Sequence, residues 1–335
     1  MEILDKIRQR ARNKQRTIIL PEGDDKRILE AAKIIVKENL AQLIILAENE
    51  TIKEKAEAVG LDLSKVRVIY PAKSLDLNEF AEKFFELRKA KGISEEQARE
   101  QMLKPVYFGA MMVRFGKADG MVAGAINTTA DVAKAAIYCI GFGEKIRTIS
   151  SCFLITVPDC VYGSNGTFVF ADCGIVPDPS PAQIANIAAS ASELFSLLVE
   201  EEPKVALLSF STKGSAEHPL VDKVVRAKQI IDEKYPELIA DGELQLDAAI
   251  VPEVAKIKAP DSKVAGTANV LIFPDLNAGN ISYKMVQRLA KADVIGPMMN
   301  GVSKPCSDLS RGCTIDEIVN AVCTTSIRVI QETKQ

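Results

Sequence analysis

The sequence predicts an α/β protein of two domains, with mostly parallel sheets flanked by helices. Short runs of β-branched and apolar residues alternate with stretches of helical periodicity, beginning with the strand 17–20 and the helix around Ile28. The predicted strands are continuously apolar, as expected when parallel strands are buried on both faces. A length of 335 residues is also more than a single hydrophobic core usually serves.

The alternation of strands and helices continues along most of the chain. We predict strands at 42–47, 66–70, 120–124, 205–210, 244–251 and 270–273, and helices at 77–88, 94–115, 181–200, 220–234 and 281–292, with another from about Thr129. The pattern changes near Ile146, where the apolar runs 148–157 and 166–170 are separated only by a turn-rich segment. Such a pair of runs is typical of a hairpin, so we expect a second domain to begin there.

Composition and charge argue against several classes of protein. The chain has 47% apolar and 26% charged residues and a net charge of −3 without a basic block, so we expect a soluble protein with no nucleic-acid partner. No run reaches the roughly 18–20 uninterrupted apolar residues of a membrane span. Seven scattered cysteines without a C-x-x-C pair suit a reducing cytoplasm, and a single histidine, His218, excludes His-rich metal sites.

The most informative stretch is 307–314, which reads Ser-Asp-Leu-Ser-Arg-Gly-Cys-Thr. Thr314 and Glu317 have the spacing of a capping box, so this loop brings Ser310 and Arg311 to the N-terminus of a helix. Free N–H groups and the helix dipole favour anions there, and a guanidinium fork matches phosphate or carboxylate. The alternative is a surface turn whose arginine covers apolar neighbours.

Two other loops follow predicted strands, the position at which open α/β sheets bind ligands. The first contains Ser211, Thr212, Lys213 and Gly214, which could hold a phosphate, although the spacing is not that of a P-loop. The second is 273–282, where a glycine permits either a ligand's close approach or merely the turn. An ordinary turn that caps its helix is the alternative for the first loop.

These stretches together resemble the phosphate acetyltransferase family over essentially the full chain. The residues that carry the resemblance are 21–23, 107–113, 118–124, 170–173, 211–215, 273–280 and 308–313. Each fragment is modestly specific, whereas the order and spacing of the whole set are highly specific.

The resemblance implies reversible acetyl transfer between coenzyme A and inorganic phosphate, which gives acetyl phosphate. Coenzyme A would be a substrate, and the chemistry would need neither a bound cofactor nor a metal. The family's fold is similar to that of isocitrate and isopropylmalate dehydrogenases, and its members are usually homodimers. The expected domains are 1–146 plus 296–335 and 147–295, with an active-site cleft between them.

The resemblance also implies roles for individual residues. Arg311 would hold the phosphate, and Ser310 would donate a hydrogen bond to the developing oxyanion. Arg88 would support the phosphate or the acyl phosphate. The full set of substrate-binding candidates is Arg88, Thr129, Lys134, Ser211, Thr212, Lys213, Gly214 and Asn280.

The chain departs from the family's pattern at two places. Lys134 stands where the family usually has arginine, so a point charge replaces a bidentate fork. The second departure concerns the base that assists the thiol, which is only a few per cent thiolate at pH 7. Glu317 keeps the family's register, whereas Asp316 lies one residue earlier, about 100° away around the helix. We prefer Glu317, which could instead simply complete the capping box.

Three other functions stay open at this point. The chain could transfer a longer acyl group, as the related phosphate butyryltransferases do. It could be a non-catalytic, regulatory domain that binds coenzyme A. It could also be a dehydrogenase on the related fold, which would need a divalent metal and a nicotinamide.

Overall fold

A computed structural model of the chain describes residues 3–143 and 148–329. The chain forms two compact units, Met1–Glu144 with Val302–Gln335 and Lys145–Gly301. The expected domain division differs from these units at 296–301, most of which belongs to a strand of the second unit. The change of pattern near Ile146 lies outside the described residues.

Each unit contains a sheet. The strands, numbered along the chain, are β1 (Thr17–Leu20), β2 (Gln42–Leu46), β3 (Arg67–Ile69), β4 (Gly120–Ala123), β5 (Ser150–Thr156), β6 (Thr167–Ala171), β7 (Val205–Leu208), β8 (Ala240–Leu244), β9 (Val270–Ile272), β10 (Asp293–Asn300) and β11 (Cys306–Asp308). In the first unit the order is β3-β2-β1-β4-β11, and the described pairs are parallel. In the second unit the order is β10-β5-β6-β9-β7-β8. There β5 is antiparallel to β6 and β10, and the other described pairs are parallel. The mostly parallel α/β fold and the β5–β6 hairpin are confirmed.

Helices lie between most of the strands. Numbered along the chain, they are α1 (Ile3–Lys14), α2 (Lys26–Lys37), α3 (Ile52–Val59), α4 (Leu77–Arg88), α5 (Glu95–Met102), α6 (Pro105–Arg114), α7 (Thr129–Ala135), α8 (Pro181–Val199), α9 (Pro219–Lys234), α10 (Leu246–Ile250), α11 (Pro252–Lys258), α12 (Leu276–Leu289) and α13 (Ile315–Arg328). Short 3₁₀ turns lie at Leu63–Lys65, Pro71–Lys73 and Lys89–Lys91, and a π-helical turn, Ala136–Ile140, continues α7.

Three predicted elements are wrong in extent, the third being the helix expected from Ile281. The helix expected at 94–115 is two helices, because Pro105 cannot donate a backbone hydrogen bond and instead begins α6. The strand expected at 244–251 ends at its first residue, Leu244, and α10 and α11 follow. A short apolar run does not by itself distinguish a strand from a buried helix.

Helix α12 begins five residues before the expected start at Ile281. The Asp275 carboxylate accepts the N–H of Ala278 at 2.9 Å, which caps the helix at its N-terminus. The Gly/Asn segment expected to form a turn is therefore the first turn of α12, and Asn280 lies on a helix.

Helix α8 has the length and the mean hydropathy, 1.3, of a membrane-spanning segment. In the structure 67% of that window is buried inside the fold. The sheet strands β5, β6, β7 and β9 and helix α9 pack against it. This is the environment expected for the core helix of a soluble protein.

Candidate active site

The loop between β11 and α13, residues 309–313 and called here the SRG loop, is anchored at both ends. β11 pairs with β4, and α13 packs against α1 and α2. At the start of α13 the Thr314 Oγ1 accepts the N–H of Glu317 at 3.2 Å, and the Glu317 carboxylate accepts the N–H of Thr314 at 2.8 Å. The predicted capping box is confirmed, and it fixes the point at which the loop enters the helix.

The two polar side chains of the SRG loop are exposed. Within the described ranges 3–143 and 148–329, the Arg311 guanidinium has no hydrogen bond or ion pair. The Ser310 Oγ accepts the N–H of Gly312 at 3.3 Å, and the Ser310 carbonyl accepts the N–H of Cys313 at 2.9 Å, so the loop is a compact turn. It presents a hydroxyl and an unpaired cation beside a helix N-terminus, an arrangement suited to an anion.

A buried carboxylate, Glu22, holds the loop that follows β4. It accepts hydrogen bonds from the N–H groups of Gly124 (2.9 Å), Ala125 (2.8 Å), Ile126 (3.0 Å) and Asn127 (2.8 Å), and from the Asn127 side-chain amide (2.8 Å). Five donors on one carboxylate fix this loop firmly. Glu22 was not predicted as a site residue, although a charged residue two positions after a buried strand is a signal of such a contact.

Asp308 ends β11 with a fully buried carboxyl group. Neither of its oxygens makes a hydrogen bond of ordinary geometry with a described residue. Burial raises its pKa to about 7 and the Glu22 carboxylate adds to the increase, whereas the Thr129 hydroxyl and the Leu309 N–H oppose it. Gly124 is needed beside it, because a Cβ there would lie 2.4 Å from Asp308 Oδ1 and the φ angle is +119°. Thr129, a substrate-binding candidate, thus lies next to a buried acid.

The two carboxylates considered as bases lie in different surroundings. Asp316 is 77% exposed and forms an ion pair with Arg8 of α1 at 3.4 Å. Glu317 is partly buried and contacts Thr314, the N-cap of α13. Burial raises the pKa of the nearby Cys313 thiol to about 11, and the Glu317 carboxylate adds to that increase. Glu317 therefore lies close to the Cys313 end of the SRG loop.

The helical cations expected to bind substrate lie on α4 and α7, and both of these helices contact the π-helical turn 136–140. Arg88 ends α4, and its guanidinium lies 3.7 Å from the centre of the Tyr138 ring. Such a stacked cation has a fixed orientation. Tyr138 lies in the π-helical turn after α7, four residues beyond Lys134, which is exposed. Tyr138 was not predicted as a site residue, because nothing in the sequence near it indicates its contact with Arg88.

The hydroxyls of the loop after β7 are engaged inside the second unit. The Glu243 carboxylate accepts the Ser211 hydroxyl at 3.0 Å and the Gly214 N–H at 2.7 Å. The Thr212 hydroxyl accepts the N–H of Gln245 at 2.9 Å. Through these contacts the loop is a structured turn held against residues at the end of β8.

The remaining polar candidates of the second unit also have partners. The Lys213 ammonium forms an ion pair with Asp241. The Asn280 amide donates to the Cys173 carbonyl at 3.0 Å, which links α12 to the loop after β6. Any ligand bound by Lys213 would therefore have to compete with a carboxylate.

Comparisons with known proteins agree with the expected family. The profile of the family described as "Phosphate acetyl/butaryl transferase" matches residues 2–326. The phosphate acetyltransferase of Thermoanaerobacterium thermosaccharolyticum is 49% identical over 328 residues, which are 98% of this chain and 99% of that protein. A solved phosphotransacetylase from Streptococcus pyogenes has a TM-score of 0.91 and 40% identity, with 98% of each chain covered.

A more distant likeness concerns the fold alone. The 4-hydroxythreonine-4-phosphate dehydrogenase of Klebsiella pneumoniae has a TM-score of 0.54 at 7% identity, with 93% of this chain and 98% of that chain covered. The expected likeness to a dehydrogenase fold agrees with this finding. From its sequence and its structure alike, the chain belongs to the phosphate acetyl/butaryl transferase family.

Proposed function

We propose that the chain is a phosphate acetyltransferase that moves an acetyl group reversibly between coenzyme A and inorganic phosphate. The observation that carries the proposal is the exposed pair Ser310 and Arg311 at the start of α13, in a chain 49% identical to a phosphate acetyltransferase. Coenzyme A is a substrate, and the protein acts without a metal or a bound cofactor.

The reaction needs a site for an anion and a donor for an oxyanion. A phosphate oxygen attacks the thioester carbonyl, the C–O bond forms, the C–S bond breaks, and the departing sulfur takes a proton. In the reverse direction the thiol loses its proton to a base and its sulfur attacks acetyl phosphate, which releases phosphate. Arg311 holds the phosphate, and Ser310 donates to the tetrahedral oxyanion. Both substrates are bound at once, since positioning supplies much of the barrier reduction.

The direct test measures the release of coenzyme A from acetyl-CoA by the purified chain, with and without phosphate and after EDTA treatment. We expect equal amounts of free thiol and acetyl phosphate, only when phosphate is present and regardless of EDTA. Binding of coenzyme A without turnover would instead support the regulatory domain. Faster turnover of butyryl-CoA would support the longer acyl group, and a requirement for nicotinamide and metal would support the dehydrogenase.

We propose Glu317 as the base, supported by its place beside the SRG loop and by the ion pair that holds Asp316 near Arg8. Glu317→Gln should lower kcat for acetyl-CoA synthesis by about 10²–10⁴-fold, because glutamine preserves the capping box but cannot accept the proton. Asp316→Asn is the matched control and should change kcat by less than about threefold, as for an exposed ion pair. Loss of activity only in Asp316→Asn would make Asp316 the base.

The other substrate-binding assignments stay proposals. They concern Arg88, Thr129, Lys134, Asn280 and residues 211–214. Arg88 is supported by its fixed orientation on Tyr138, whereas Lys213 already has Asp241 as a partner.

We further propose that the protein is a cytoplasmic homodimer. Helix α12 supports the dimer, because it carries an exposed apolar stripe. The stripe consists of Ile281, which is 57% exposed, Met285, which is 53% exposed, and Leu289, which is 78% exposed. Met285→Glu should convert the dimer to a monomer in light scattering, since the interface would bury an unpaired charge. Ile257→Glu, at another exposed apolar residue, is the control and should leave the dimer intact. A dimer unaffected by Met285→Glu would exclude this stripe as the interface.

A further inference from the structure

Arg27, in the first turn of α2, uses every N–H of its guanidinium. Its Nε donates to Asp25 Oδ1 at 3.1 Å. One terminal nitrogen donates to the carbonyls of Arg311 (2.8 Å) and Cys313 (3.0 Å). The other terminal nitrogen donates to Asp25 Oδ2 (2.7 Å) and to the Ala125 carbonyl (2.9 Å). Three segments of the first unit therefore meet at one planar group: the start of α2, the loop after β4 and the SRG loop.

The contacts of Arg27 with the SRG loop are to its main chain. They involve neither the Ser310 hydroxyl nor the Arg311 guanidinium, and they fix the backbone from which both side chains extend. Burial raises the pKa of Asp25, but its hydrogen bonds with Arg27 outweigh this and hold that pKa below its ordinary value. Asp25 therefore stays ionised and balances the charge of Arg27. With its donors used and its charge paired, Arg27 is suited to hold the loop and not to bind an anion itself.

We propose that Arg27 is the positioning residue of the SRG loop, which sets the directions of Ser310 and Arg311 for catalysis. The catalytic part rests on the proposed acyl transfer, whereas the fixing of the loop does not. A lysine cannot replace it, because a single ammonium cannot reproduce a planar fork that bridges a carboxylate and three carbonyls.

Arg27→Lys is the informative variant, and Arg12→Lys is its matched control. Arg12 also pairs with a carboxylate and donates to a carbonyl, both of Glu38 (3.7 and 2.9 Å), but on α1. We expect Arg27→Lys to lower kcat by about 10–100-fold, because a misplacement of about 1 Å can lower a rate by about 10²-fold. The KM for acetyl-CoA should change less than about threefold, since the lost interactions act in the transition state. The control should keep both constants within about twofold.

A double-mutant cycle separates positioning from general destabilisation. If Arg27 acts through the SRG loop, Arg27→Lys should reduce kcat less in an Arg311→Ala background than in the unsubstituted protein, because the group that it positions is missing. Additive losses would overturn the proposal.

A second readout does not depend on activity. The buried Cys313 lies with its sulfur 3.8 Å from the Arg27 guanidinium. Alkylation of Cys313 by N-ethylmaleimide, followed by peptide mass spectrometry, should be about tenfold faster in Arg27→Lys than in Arg12→Lys, because local opening exposes the thiol. Equal rates in the two variants would overturn the proposal. If the unsubstituted chain shows no acyl transfer, the proposed function fails, and alkylation alone decides whether Arg27 fixes the loop.

Asp25→Asn provides a variant should Arg27→Lys not fold. Asparagine is an equally good N-cap for α2, so the helix keeps its start while the ion pair with Arg27 is lost. We expect Asp25→Asn also to make Cys313 alkylation faster and kcat lower, with both effects smaller than in Arg27→Lys. No change in either would contradict the role of Arg27.

Discussion

Replacing Arg311 with alanine should lower kcat/KM for phosphate by about 10³-fold while leaving the protein folded. Single groups that stabilise the charge developing in an acyl-transfer transition state contribute about 10²–10³ in rate, and the lost phosphate contact also weakens the binding of phosphate. The guanidinium is exposed and pairs with no group in the part of the chain that the structure describes, so its removal should change Tm by no more than about 2 °C. Initial rates at varied phosphate and a thermal melt measure both effects.

Two companion variants sharpen this test. Arg311→Lys keeps the charge but not the planar fork of donors. Its kcat/KM for phosphate should therefore lie between those of the wild type and Arg311→Ala. Arg99→Ala removes another exposed arginine, on α5, and should leave the rates unchanged. Near-normal kinetics in Arg311→Ala would remove the phosphate site from the SRG loop.

Asp308→Asn should stabilise the protein at pH 8 and have little effect below about pH 4. Burial raises the pKa of Asp308 from 3.8 to about 7. Between these values the folded chain keeps a proton that the unfolded chain has lost, so the free energy of unfolding falls as the pH rises. At about 1.4 kcal/mol per pH unit, the penalty above pH 7 is on the order of 4 kcal/mol, and asparagine removes it because it carries no charge.

Thermal or urea unfolding of both proteins from pH 4 to pH 8 measures this difference. Asp316→Asn is the control, since that carboxylate is 77% exposed, and its effect should be small throughout. If the difference in the free energy of unfolding between Asp308→Asn and the wild type does not grow with pH, Asp308 stays ionised in the folded protein.

The sequence predicted the features that depend on neighbours in the chain. The capping box of Thr314 and Glu317, the hairpin of β5 and β6 and most strands follow from local spacing, and the structure contains them. The strand prediction for 244–251 was wrong, because a short apolar stretch fits a strand and a helix equally well.

The contacts that shape the site depend on the fold, which local patterns do not reveal. Arg27 reaches Arg311 across 284 positions, and Glu22 reaches the Gly124 loop across 102. Lys213 looked like a phosphate ligand in sequence, yet the fold places Asp241 beside it. Residue type predicted which groups can bind an anion, and only the fold shows which of them are already paired.

A crystal structure with coenzyme A and phosphate tests the central claim most directly. It should show phosphate oxygens about 3 Å from the Arg311 guanidinium, and the coenzyme A sulfur within hydrogen-bond reach of Glu317 and close to Ser310. A complex in which Ser310 and Arg311 face solvent, with the sulfur and the phosphate bound elsewhere, would contradict it.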